Sequence, residues 1–307
     1  MKKNIIYILM ALLAVQVMSC SKESLNPKNT TAIPDLTAFD SKTRIEGQVR
    51  GIYATLKNAG MYGGRYQIFN DLRGADFQNE RTNVVTGFDV WTYTPSNSSS
   101  NSVENHWTRA YLVINLVNVF IEGMAAKGTT VVGDALSKNF IAEVRLVRAL
   151  SYYSLLQLYA RPYWDGNGSK PGVPLRLTAN TTTGDYAKAR NTVAEVYTQI
   201  LEDLNFAEQN LPLSNASALA NTTRAHRNTA IALKTRVYLS MGKYPEVITE
   251  ANKIVTATAP FTATTGVAHA LQADFSTIFS NYTTTESILS MPFDANDAPG
   301  VQNQLGF

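Results

Sequence analysis

Apolar side chains recur at three- and four-residue steps over two long stretches: Trp107, Ala110, Tyr111, Ile114, Val117, Asn118 and Ile121, then Phe140, Val144, Val147, Leu150, Ser154 and Leu158. That spacing lays one stripe along a helix, so helices are predicted over about 103–126 and 134–160. A third is predicted over about 193–210, opened by the T-x-x-E capping box of Thr192 and Glu195 and stopped near Pro212. A fourth, about 225–241, turns into a fifth across Met241-Gly242-Lys243-Tyr244-Pro245, where glycine ends one helix and proline suits the first turn of the next. A short helix is expected over about 40–57. Residues 58–102 carry five glycines and a Ser/Asn run, with no helical period longer than a turn, and are predicted to be loop-rich. Beyond residue 258 no firm period emerges.

The expected fold class is therefore mainly α, with long loop-rich insertions. Residues 231–244 (IALKTRVYLSMGKY) have the small, large, large and Gly-x-Tyr order of a tetratricopeptide hairpin, so tetratricopeptide-like helical hairpins are expected over about 103–257. Such hairpins stack because none buries its apolar face alone.

The N-terminus follows a different pattern. Lys2 and Lys3 precede an apolar run from Ile5 to Met18, which as a helix would rise about 21 Å, short of a hydrocarbon core of about 30 Å. That reads as an export signal. Val17-Met18-Ser19-Cys20 resembles the bacterial lipobox, whose cysteine is acylated and becomes the mature N-terminus. Residues 1–19 are thus read as a lipoprotein signal peptide, Cys20 as the lipidation site, 20–39 as anchor and tether, and 40–307 as the folded domain. Cys20 is the single cysteine, and a thiol carrying lipid is no nucleophile.

Removing residues 1–19 lowers the formal charge from +3 to +1, because Lys2 and Lys3 leave and no acid does. That balance argues against nucleic acid as a partner. His106, His226 and His269 are scattered, with no metal-ligand spacing, and no cofactor motif is present. Asp165-Gly166-Asn167-Gly168-Ser169 offers oxygens at alternate positions, but Arg176 stands where a calcium loop needs its bidentate acid, so the stretch reads as a turn. No catalytic constellation stands out; Asp71, Asp76 and Glu80 share a loop region in which such carboxylates are common. The aromatic residues say more. Trp91 and Tyr93, and further on Tyr163 and Trp164, lie in loops with hydrogen-bonding neighbours. A sugar presents a C–H face to a flat ring and hydroxyls to polar groups. These four rings, with Asp71, Arg73, Asp76 and Asn101, are the candidate ligand-binding residues.

Several stretches together resemble one family. Residues 140–153 (FIAEVRLVRALSYY), with Leu158-Tyr159 and Val173-Pro174-Leu175 behind them, are similar to the signature helix and loop of SusD/RagB-type lipoproteins of Bacteroidetes. Residues 107–121, 196–212, 232–244 and 286–293 (ESILSMPF) match in order. The resemblance implies a non-enzymatic outer-membrane lipoprotein, facing the cell exterior, that captures a glycan or other oligomer for a SusC-type TonB-dependent transporter. A peptide ligand, or a tetratricopeptide-like scaffold that binds only protein, are the alternatives. Members of the family continue well beyond the 286–293 motif, so a fragment or a C-terminally shortened member is expected here.

Overall fold

The computed structural model describes residues 37–74, 87–95, 103–278, 281–298 and 300. Cys20, the signal and the tether up to residue 36 lie outside them, as do Asp76 and Asn101, whereas the last tether residue, Phe39, is buried with its ring 5.8 Å from Phe120. The described residues from Phe39 onward form one compact unit.

The helices are α1 (Lys42–Leu56), α2 (Arg65–Leu72), α3 (Phe88–Trp91), α4 (Val103–Gly123), α5 (Thr129–Val132), α6 (Asp134–Tyr159), α7 (Val193–Asn210), α8 (Ala218–Thr223), α9 (Arg227–Ser240) and α10 (Tyr244–Ala251). A π turn, Met124–Gly128, joins α4 to α5. Among the described residues the only strand-like pairing is a bridge between Pro171 and Thr192. The expected helical class therefore holds. Two expectations are corrected. The loop-rich region contains α2 and α3, and α8 was not anticipated.

Helix α6 is the centre of the bundle, packed on α7, α4 and α1, while α9 packs on α10 and α7. It is buried almost all round from Phe140 to Leu156, as a helix enclosed by neighbours must be. Tyr152, Leu146 and Leu155 are fully enclosed, and each such side chain contributes about 1.5–3 kcal/mol of transfer free energy. Helix α7 starts where its capping box dictates: Thr192 Oγ1 accepts from Glu195 N–H at 3.2 Å and Glu195 Oε2 accepts from Thr192 N–H at 2.7 Å. Gly242, at φ +71°, closes the α9–α10 turn in a conformation that glycine adopts without strain.

Charges inside the bundle are paired. Asp203 of α7, with no exposure, accepts from Arg145 Nε at 2.6 Å and from Arg148 Nε and Nη2 at 2.8 Å each. Arg148 Nη1 then donates to Asn118 Oδ1 at 2.8 Å. Asn118 Nδ2 passes the connection on, donating to the carbonyls of Arg176 (3.0 Å) and Thr178 (3.1 Å).

This last contact belongs to a larger device. Tyr111, Asn115, Asn118 and Glu122 stand at i, i+4, i+7 and i+11 on α4, one helical stripe. Tyr111 Oη donates to Pro174 O at 2.8 Å, Asn115 exchanges bonds with the Asn180 backbone, and Glu122 Oε1 accepts from Ala179 N–H at 2.7 Å. Tyr152 of α6 adds a bond to Arg176 O at 2.9 Å. Extended backbone at 174–180 thus finds side-chain partners in place of a sheet. The predicted stripe divides accordingly: Ala110, Ile114 and Val117 are buried in apolar contact, whereas the buried Asn118 and the half-buried Tyr111 clasp the excursion between α6 and α7.

Candidate functional site

Helix α2 is short and sharply two-sided. Arg65, Phe69 and Leu72 are buried, and Tyr66, Asn70 and the C-cap Arg73, at i, i+4 and i+7, form the neighbouring stripe, half-buried at its start and exposed at its end. That stripe is tied along its length. Asn70 Nδ2 donates to Tyr66 O at 2.7 Å, and Arg73 Nη2 donates to Asn70 Oδ1 at 2.8 Å. Tyr93 Oη in turn donates to Arg73 O at 3.2 Å. Helix α3 reaches this edge because Gly87, at φ +66°, lets the backbone approach α2. A Cβ there would overlap Leu72 Cδ1 and lie 3.5 Å from Phe69.

Beside the stripe opens a cleft of 1060 Å³. Its floor is Leu146 and Leu150 of α6 with Leu233 of α9, and its far wall comes from the 286–293 motif, through Glu286, Ile288, Leu289 and Met291. That wall is fastened from several sides. Ser290 N–H donates to Thr222 O at 2.6 Å, and Lys57 Nζ donates to Pro292 O at 2.7 Å while standing 4.7 Å over the Phe293 ring. His226 and His269 stack at 5.2 Å behind it, both buried. The near wall is Tyr62, Tyr66 and Gln67, and Arg236 of α9 completes the rim.

The two near-wall tyrosines pack at 4.9 Å and 48°, and Tyr66 stacks on the buried His106 at 5.7 Å and 25°. Burial, reinforced by the Tyr153 phenol, pushes the Tyr66 hydroxyl up to about 12, with the guanidiniums of Arg236 and Arg73 pulling the other way. Tyr66 is therefore a neutral donor and acceptor at any physiological pH. Burial likewise pushes His106 down to about 4, so the ring beneath Tyr66 is neutral. Gln67 Oε1 is enclosed at this wall and has no hydrogen-bond partner among the described residues.

Of the residues singled out from the sequence, Asp71, Arg73, Trp91 and Tyr93 come to the α2–α3 edge. Tyr93 is the most open of them, 71% exposed. Trp91 is half-buried, its ring 5.9 Å from Phe88. Asp71 is exposed on the helix end. Tyr163 and Trp164 lie on the turn after α6. Tyr163 meets Tyr197 edge-on at 5.6 Å and 76°, closed in by Gly168, whereas Trp164 is 75% exposed. No hydrogen bond or ring contact among the described residues joins this turn to the α2–α3 edge. Sequence reasoning missed Gln67 and Arg236. Tyr62 and Tyr66 are likewise absent from the candidates, although their place among Gly60, Gly63 and Gly64 is a local signal; Arg236 carries none, being one cation among several polar residues of α9.

A family model described as "SusD-like_3: Starch-binding associating with outer membrane" matches residues 23–239. Among curated relatives, the chain is 22% identical over 295 residues to SusD-like protein P25 of Formosa agariphila, covering 92% of this chain and 51% of that one. Among solved structures, a SusD superfamily protein from Bacteroides fragilis is 33% identical, with a TM-score of 0.73, over 86% of this chain and 58% of that one. A laminarin-binding SusD-like protein has the same fold at 20% identity, with a TM-score of 0.63, over 81% of this chain and 50% of that one. The chain thus spans about half the length of the relatives it matches. With a matching family model over most of its length and a helical bundle superposing on the family's structures, the chain belongs to the SusD-like family.

Proposed function

We propose that this chain is the glycan-binding part of an outer-membrane lipoprotein, held by acyl chains on Cys20, facing the cell exterior and delivering an oligosaccharide to a SusC-type TonB-dependent transporter without transforming it. The observation that carries the reading is the strip Tyr62, Tyr66, Asn70, Arg73 and Tyr93, in which a pair of rings, two fixed hydrogen-bonding groups and a third ring follow one another. Helix α2 is eight residues, about 12 Å at 1.5 Å per residue, a length that accommodates two or three sugar rings end to end. The family description and the laminarin-binding relative point to the same ligand class. Within the strip, Tyr93 and Arg73 are assigned to direct contact, and Asp71 and Trp91 to its edge. Trp164 is assigned to an outlying contact.

The apolar floor of the cleft supports a second reading, an extended peptide whose side chains fill it. Titration calorimetry of the mature chain against a panel of polysaccharides and peptides separates the two, with chromatography of the recovered ligand. The glycan reading expects heat from at least one polysaccharide and unchanged chain length afterwards. Binding by peptides alone, or shortened glycan, sinks it.

A further inference from the structure

The polar groups of the strip are unevenly charged. Arginines of the bundle elsewhere hold acids: Arg145 and Arg148 hold Asp203, and Arg224 holds Glu143 and Glu46. Arg236 makes neither an ion pair nor a side-chain hydrogen bond to a described residue, although it lines the cleft and is exposed. Arg73, also exposed, has a single side-chain bond, to the neutral amide oxygen of Asn70. Arg236, from α9, lines the cleft together with Tyr66, and Arg73 stands two turns after Tyr66 at the end of α2. Two acids, Glu286 and Asp294, line the cleft with Arg236, and neither forms an ion pair with it. Glu286 Oε2 accepts from Gln272 N–H at 2.9 Å and Asp294 Oδ1 accepts from Asn296 N–H at 2.8 Å. Asp71, on the end of α2, forms no ion pair with Arg73.

Two accessible guanidiniums with no acid paired to them among the described residues, one lining the cleft with Tyr66 and one two turns further along the Tyr66 stripe, are donors suited to planar or tetrahedral anions. Resting on the glycan reading above, we propose that the oligosaccharide taken by this strip is acidic. Its carboxylate or sulfate groups are held by Arg236 and Arg73 while its rings lie on Tyr66 and Tyr93. Neutral glucans satisfy the rings and leave both guanidiniums with water alone.

The test uses the mature chain and matched pairs: an oligouronate against its carboxyl-reduced form, and a sulfated galactan against its desulfated form. Calorimetry at low and raised salt should show at least one acidic member bound about tenfold or more tighter than its neutral partner, the range of one charge-assisted hydrogen bond, with the preference shrinking as salt rises. The pair that discriminates tells carboxylate from sulfate. Arg236→Gln should weaken the acidic member about tenfold more than the neutral one, and Arg236→Lys should restore part of the difference. Circular dichroism melting of both variants should match the parent, since Arg236 is exposed and has no ion-pair partner among the described residues. Equal affinity within both pairs, or a preference intact in both Arg73→Gln and Arg236→Gln, overturns the inference and leaves the glycan reading standing. Failure of every glycan, acidic or neutral, to bind overturns both.

Discussion

Replacing Asp203 by alanine strips the counter-charge from two arginines at once, and the two should respond differently. Arg145 is 21% exposed and can swing its guanidinium to water; Arg148 is 7% exposed and cannot. An unpaired cation left in a protein interior costs about 3–5 kcal/mol. The residual bond from Arg148 Nη1 to Asn118 Oδ1 recovers one donor and leaves Nε and Nη2 empty, so the lower half of that range, about 3–4 kcal/mol, is expected. Asp203→Ala with Arg148→Met removes the orphaned charge and refills the volume, and should regain about half or more of the loss. Urea unfolding followed by far-UV circular dichroism reads these as shifts in midpoint at constant slope. If Asp203→Ala costs under about 1 kcal/mol, or the double variant is as unstable as the two single losses added, Asp203 is not the buried counter-ion on which α6, α7 and α4 converge.

Two further outcomes follow from the same geometry. His106 and His226 are fully enclosed, and burial holds each at about 4, in His226 with the stacked His269 adding to the effect. The unfolded chain then binds more protons than the folded one between about 6.5 and 4, so stability is full above that window and falls as pH drops through it, by about 3 kcal/mol per histidine. Urea midpoints should decline steadily from pH 7 to pH 4, and His226→Gln should flatten the decline; a flat profile in the parent contradicts the burial argument. Gly87→Ala forces an L-residue into the left-handed region and against Leu72, which should cost about 1–2 kcal/mol or more and weaken ligand binding by displacing Tyr93 from Arg73. Paired melting and titration of that variant check both effects.

Local signals in the sequence were enough for the long helices. The stripe from Phe140 to Leu158, the Thr192–Glu195 box and Gly242 each act within a few residues, and α6, α7 and the α9–α10 turn lie where they point. What stayed hidden is long-range or short. Asp203 looked like one acid on an amphipathic helix, because its partners are 55 and 58 residues away. Asn118 sat in an apolar period and read as core, since nothing local says that residues 174–180 lie across it. Helix α2 escaped because its buried stripe includes a charged residue, Arg65, and spans only two turns between glycines. Of the candidate site, Tyr93 and Arg73 are legible as a ring and a cation in a loop-rich region, whereas Tyr62 and Tyr66 offer only their place among Gly60, Gly63 and Gly64. Arg236 is not legible, because only the packing of α9 against α6 and α2's neighbourhood carries it to the rim.

The central claim is that the rim of α2 is where ligand binds. Calorimetric titration of the parent and of Tyr66→Ala with Tyr93→Ala, using whichever glycan the panel selects, tests it most directly. Loss of two contact rings should raise the dissociation constant by about 30-fold or more, at about 1–2 kcal/mol for each. Trp164→Ala, on the separate turn, should change it by less than about threefold. An unchanged constant in the tyrosine double variant, with its melting curve intact, would contradict the account.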